Sequence, residues 1–150
     1  MKEKFDEMKE QYKDNKNIEI QTDFSSNNTV FNADLMITDW SGIAYEYAYT
    51  TKKPVLFVDT PMKIMNPEYK KINVEPINIW ARNEIGEVIK VEECNKINTV
   101  VEKMLKENKK YNETINHLIN ESVYNIGSSA EVGANYIISA VQNKINERKK

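Results

Sequence analysis

The chain has 150 residues and a formal charge of -2, from 21 basic against 23 acidic side chains, with one histidine and one cysteine. That length is enough for one domain with a real core, and the balanced charge gives no basic excess for nucleic acid or for a polybasic membrane patch. Cys94 alone excludes an internal disulfide and a cysteine-rich zinc site, and His117 alone argues against a histidine-rich metal centre, so no metal or cofactor is expected.

No apolar run approaches the roughly 20 residues of a membrane span. The opening MKEKFDEMKEQYK is charged throughout, so no signal peptide is expected. The expected location is the cytoplasm, with attachment at the inner face of the membrane through a partner domain left open.

Phe5, Met8 and Tyr12 recur at helical spacing in the charged opening and predict a surface helix over residues 2–13. Ile18 and Ile20 alternate with polar neighbours, as in a short strand near a sheet edge. Ser25, Ser26, Asn27 and Asn28 are turn residues able to cap a brief helix around Thr29–Asn32. Leu35, Met36 and Ile37, then Val55 to Val58, are short apolar runs without alternation, as expected of parallel strands covered on both faces. Between them lies a short helix carrying Glu46.

After Pro61 the periodicity is lost up to Gly86, which predicts a long, partly structured loop; loops of that length are usually functional. Glu87–Val91 is the candidate last strand. Ile97, Val100, Val101, Met104 and Leu105 mark an amphipathic helix. Ile115, Leu118 and Ile119 mark another, and Ala134, Ile137, Ile138, Val141 and Ile145 a final one. The fold class is therefore α/β, a Rossmann-like parallel sheet flanked by helices.

The stretch from Ala33 to Pro61 carries the functional signal. Its first strand ends in Thr38, Asp39, Ser41 and Gly42 where a helix begins. Ligands of open α/β sheets bind off the carboxyl ends of the strands, and helix N-terminal amides favour phosphate. Thr38, Ser41 and Gly42 are thus candidate diphosphate contacts, against the alternative that Ser41 only caps the helix and Asp39 only steadies the turn. Neither GxxxxGK nor GxGxxG is present, so the usual phosphate loops are absent.

Glu46, one turn beyond Gly42, either accepts ribose hydroxyls or is a solvated glutamate between tyrosines. Asp59 and Thr60 end the second strand and share the rim with Asp39. Arg82, beside Trp80 in the loop, either clamps phosphate or is a surface arginine. Gly127, Ser128 and Ser129 open the last helix, as a second phosphate or sugar contact or as plain capping. His117 reads as an exposed helix residue, and Asp34 and Asp39 point to different ends of a strand, so they form no carboxylate dyad.

The run ADLMITDWSGIAYEYA followed by KKPVLFVDTP resembles the CDP-glycerol glycerophosphotransferase family, which builds teichoic-acid-like glycerol phosphate polymers. Thr38, Asp39 and Ser41 match its motif, Trp40 stands for a tyrosine, and Gly42 for a second serine. Tyr111 to Ile137, with Gly127, Ser128, Ser129 and Glu131, is similar to the family's closing segment. The resemblance spans roughly residues 15–140. It implies the donor-binding, C-terminal half of a GT-B transferase, with Thr38 and Ser41 on the donor phosphates and Glu46 on the ribose. The donor would be CDP-glycerol or a related nucleotide, and the acceptor a polymer hydroxyl.

The family's His-Pro motif and its acceptor-side domain have no counterpart here, so a fragment that does not turn over alone is expected. Two further readings stand beside this one. One is a GT-B glycosyltransferase domain using a nucleotide sugar; the other is a receiver-like signalling domain with Asp39 as phosphoacceptor.

Overall fold

The computed structural model describes residues 2–22, 28–62, 66, 68 and 71–148. At its centre is a parallel sheet of β1 (Met36–Thr38), β2 (Val55–Asp59) and β3 (Gly86–Lys90), in that spatial order. Helices α1 (Lys2–Tyr12) and α2 (Asn28–Asn32) precede it, and α3 (Ile43–Thr51) connects β1 to β2. Two short helices, α4 (Ile77–Trp80) and α5 (Arg82–Ile85), lead into β3. A 3-10 helix over Val91–Lys96, α6 (Ile97–Lys106), α7 (Asn108–Ser122) and α8 (Ser129–Arg148) follow. The α/β, Rossmann-like class expected from the sequence is the one observed.

Register aligns Thr38 with Phe57 and Phe57 with Val88, so the three carboxyl ends open on one rim. β2 is the central strand. Its apolar run buries Val55, Leu56 and Phe57 completely or nearly so, which is why it lacks alternation. β1 differs from the expectation of full burial: Ile37 is 49% exposed, because β1 pairs only with β2 and forms the sheet edge. No strand forms at Ile18–Ile20, where the backbone has no sheet partner and Ile18 stands exposed.

α3 packs by its small residues. Ala44 and Ala48 are fully buried with Tyr47 between them, and the Tyr47 hydroxyl donates to the Ala33 carbonyl at 2.9 Å. Burying Tyr47 and Phe57 stabilises the fold by roughly 1.5–3 kcal/mol each. The helix stops at Lys52, which takes a left-handed φ of 60° and returns its N–H to the Ala48 carbonyl at 2.9 Å. Pro54 follows two residues later. On α7, Tyr111, Ile115, Leu118 and Ile119 form the buried stripe that completes the core with Ile85 and Met104.

The segment expected as a loop after Pro61 thus contains α4 and α5, and β3 begins one residue earlier than anticipated. Part of that segment, and Ser25, Ser26 and Asn27, lie outside the described residues. α8 forms where its periodicity placed it, but none of its residues is buried, and Ile137, Ile138 and Val141 face solvent.

Candidate functional site

β1 delivers the chain to the rim at Thr38, and Asp39 to Gly42 turn it into α3. The first amides of a helix have no partner within it. Here Ala44 N–H reaches the Ser41 carbonyl at 3.3 Å and Tyr45 N–H the Gly42 carbonyl at 3.1 Å. The amides of Ser41, Gly42 and Ile43 have no acceptor among the described residues. Gly42 occupies the cap position with no side-chain cap bond, so the Ser41 hydroxyl is not spent on capping. A Cβ built on Gly42 meets no atom within 4 Å, so the space on that side of Gly42 is open.

The neighbouring strand end holds a tighter assembly. Arg82 is not the surface arginine that its loop position allowed: it is 5% exposed at the start of α5, and its Nη1 donates to Asp59 Oδ1 at 2.9 Å. Its guanidinium carbon lies 3.8 Å from the ring centre of Trp40 and 4.9 Å from that of Phe57. Trp40 in turn donates its indole N–H to the Thr60 carbonyl at 2.8 Å. Asp59, Thr60 and Arg82 are therefore brought together with the turn after β1, as a linked group. Trp40 was not singled out as a site residue, though a tryptophan in a polar strand-to-helix turn is itself a signal of a packing partner nearby.

Glu46 is exposed in the first turn of α3, on the same side of the sheet as the rim's helix start. Beside it, Tyr45 and Tyr49 stack edge to face at 6.4 Å, with both hydroxyls buried and unpartnered. Burial pushes the Tyr45 phenol up to about 12, with Arg82 pulling the other way and Tyr49 adding to the rise.

Gly127, Ser128 and Ser129 do form a helix start, with Gly127 at a φ of 81° and all three exposed. Ser128 bonds within its own turn, its hydroxyl directed to the Asn125 carbonyl, while its carbonyl accepts from Val132 N–H at 3.0 Å. His117 is exposed, 3.3 Å from Glu121, as expected of a surface helix histidine.

A cavity of about 380 Å³ lies at the opposite end of α3, lined by Thr51, Lys52, Lys53, Asn108, Lys109 and Asn112. Two of its three lysines have structural work. Lys52 Nζ donates to the Tyr49 carbonyl and Lys53 Nζ to the Ala33 carbonyl and Asp34, where cations answer the negative end of the α3 dipole.

One cluster escaped the sequence reading. Lys103 Nζ and the Tyr111 hydroxyl both donate to Glu87 Oε1 at 2.9 Å, joining β3 to α6 and α7. The Lys103 bond holds the Glu87 carboxyl below the usual range; burial opposes it, and the Tyr111 bond and the lysine charges add to the lowering. Among the described residues, no three His, Cys, Asp or Glu side chains gather as a metal site, and no helix is long and apolar enough to cross a membrane.

A parallel sheet flanked by helices, with a helix-initiating turn at its carboxyl rim, defines a Rossmann-like α/β protein. The CDP-glycerol:poly(glycerophosphate) glycerophosphotransferase family matches residues 2–118, well over half of the sequence. The chain belongs to that family of transferases. The match takes in Thr38, Asp39, Ser41, Gly42, Glu46, Asp59, Thr60 and Arg82, and ends before Gly127. No curated protein and no solved structure gives a match.

Proposed function

We propose that this chain is the donor-binding domain of a two-domain, GT-B-type transferase, and that it holds CDP-glycerol for transfer of glycerol phosphate to an acceptor hydroxyl. The observation that supports this most is the set of unpaired amides at Ser41, Gly42 and Ile43, with open space on one side of Gly42 and within the segment that the family matches. Backbone N–H groups at a helix start, with the Thr38 and Ser41 hydroxyls, suit a diphosphate. Glu46 lies within one helical turn and would accept the ribose hydroxyls.

In the reaction, the acceptor oxygen attacks the phosphorus that bears glycerol, the bond to the CMP oxygen breaks, and CMP leaves. Catalysis of such a displacement rests on alignment and on stabilising charge at the phosphate oxygens. The helix-start amides and the two hydroxyls would supply that stabilisation. No residue at this rim is placed as general base, so the acceptor's proton would pass to a group on an N-terminal acceptor domain. The acceptor would be a growing poly(glycerol phosphate) chain in teichoic-acid-type synthesis, at the cytoplasmic face of the membrane.

Incubating the full-length protein with CDP-glycerol and a poly(glycerol phosphate) primer tests the reading. CMP release that depends on primer supports it. Primer-independent hydrolysis, or release only from nucleotide sugars, contradicts it.

A further inference from the structure

Arg82 is the one buried charged side chain among the described residues. A guanidinium is expensive to remove from water, and an apolar side chain of similar volume would fill the same slot without that cost. Core stability alone therefore does not account for an arginine here. What a guanidinium adds is a flat, permanently charged plate that can stack on a ring and pair with a carboxylate at once, which an ammonium cannot do equally well.

Arg82 does both. Its plate lies between Trp40 and Phe57, at 3.8 and 4.9 Å from their ring centres, while Nη1 holds Asp59 at 2.9 Å. Trp40 belongs to the turn after β1, Asp59 ends β2, and Arg82 opens α5. One side chain thus joins three elements at the carboxyl rim. The Trp40 bond to the Thr60 carbonyl fastens the same turn a second time. Arg82 Nε and Nη2 are screened from solvent and have no partner, so they are not displayed to a ligand at the turn.

We propose that Arg82 is a positioning residue: through Trp40 it sets where the open amides of Ser41, Gly42 and Ile43 stand relative to the end of β2. Its influence on the donor, which rests on the CDP-glycerol reading above, runs through the indole and not through a bond to phosphate.

A double-mutant cycle separates these two routes. CDP-glycerol binding to the full-length protein is measured by calorimetry for Trp40→Leu, Arg82→Met and the pair. Each single change is expected to weaken binding about tenfold, and the pair by little more, because both break one latch. Arg82→Lys keeps the pairing with Asp59 but not the stack, and falls between wild type and Arg82→Met. Losses that multiply to about a hundredfold in the pair would assign Arg82 a direct ligand contact and overturn the proposal. Full affinity in a folded Arg82→Met would overturn it as well. If Arg82→Met does not fold, Arg82→Lys and Trp40→Phe run the same cycle.

A second arm needs no donor. Trp80→Phe leaves Trp40 as the sole indole of the two. In that background Arg82→Met or Arg82→Lys should raise acrylamide quenching of Trp40, and unchanged quenching would refute the latch. Absence of CDP-glycerol binding by the wild-type protein would remove the donor reading while leaving the quenching result to decide the latch.

Discussion

Gly86 and Val55 lie so close across β3 and β2 that a Cβ on Gly86 would sit 1.6 Å from the Val55 carbonyl oxygen. The backbone of Gly86 is extended, so the constraint is space alone. Gly86→Ala should push β3 away from β2 and destabilise the protein by about 3 kcal/mol. A fall in the urea midpoint at unchanged slope would register it.

Gly42 is the opposite case. Its φ of -63° suits any residue and nothing crowds its Cβ position. Gly42→Ala should stabilise the protein by about 0.4–1 kcal/mol, by restricting the unfolded chain. The same urea titration, compared with Gly86→Ala, reads the contrast.

Two tyrosines two residues apart on α3 should respond in opposite directions to losing a hydroxyl. Tyr47→Phe removes the bond to the Ala33 carbonyl and should cost about 1 kcal/mol. Tyr45→Phe removes a buried, unpartnered hydroxyl and should gain about 1 kcal/mol. Because the folded Tyr45 phenol is pushed up to about 12, the unfolded chain loses this proton first as pH rises. Stability contributed by the neutral phenol therefore falls above about pH 10, and Tyr45→Phe should flatten that part of an alkaline unfolding profile.

At the acid end the corresponding group is Glu87. Lys103 and Tyr111 hold its folded carboxyl below the usual range, so the unfolded chain takes up the proton first as pH falls. The contribution is complete above the ordinary glutamate range and is lost progressively below about pH 4. Thermal unfolding followed from pH 6 downward should show a shallower acid limb for Glu87→Gln than for wild type.

The parts of this fold that periodicity and turn chemistry specify were legible from the residues. Val55 to Val58 read as a covered strand because β2 is central, and Ile115 with Leu118 and Ile119 read as a buried helix face. Ile37 belongs to a run of the same composition, yet edge position left it exposed, and composition carries no information about which strand lies at an edge. The short helices α4 and α5 are below the length at which a period can be recognised. Thr38, Ser41 and Gly42 were placed at the rim by their order along the chain. The setting of Arg82 was not, because its partners Trp40, Phe57 and Asp59 lie 23 or more residues away and meet it only through the sheet register. The Glu87 cluster was hidden for the same reason.

The most direct measurement is calorimetric titration of CDP-glycerol, with UDP-glucose as comparator, into wild type, Thr38→Val and Ser41→Ala. Binding of CDP-glycerol and not of UDP-glucose is expected, weakened about tenfold in each variant by loss of a phosphate-facing donor. The thermal midpoint of Ser41→Ala should be unchanged, since its hydroxyl caps no helix. Equal binding of both nucleotides, or full CDP-glycerol affinity in both variants, would contradict the assignment of this turn as the donor site.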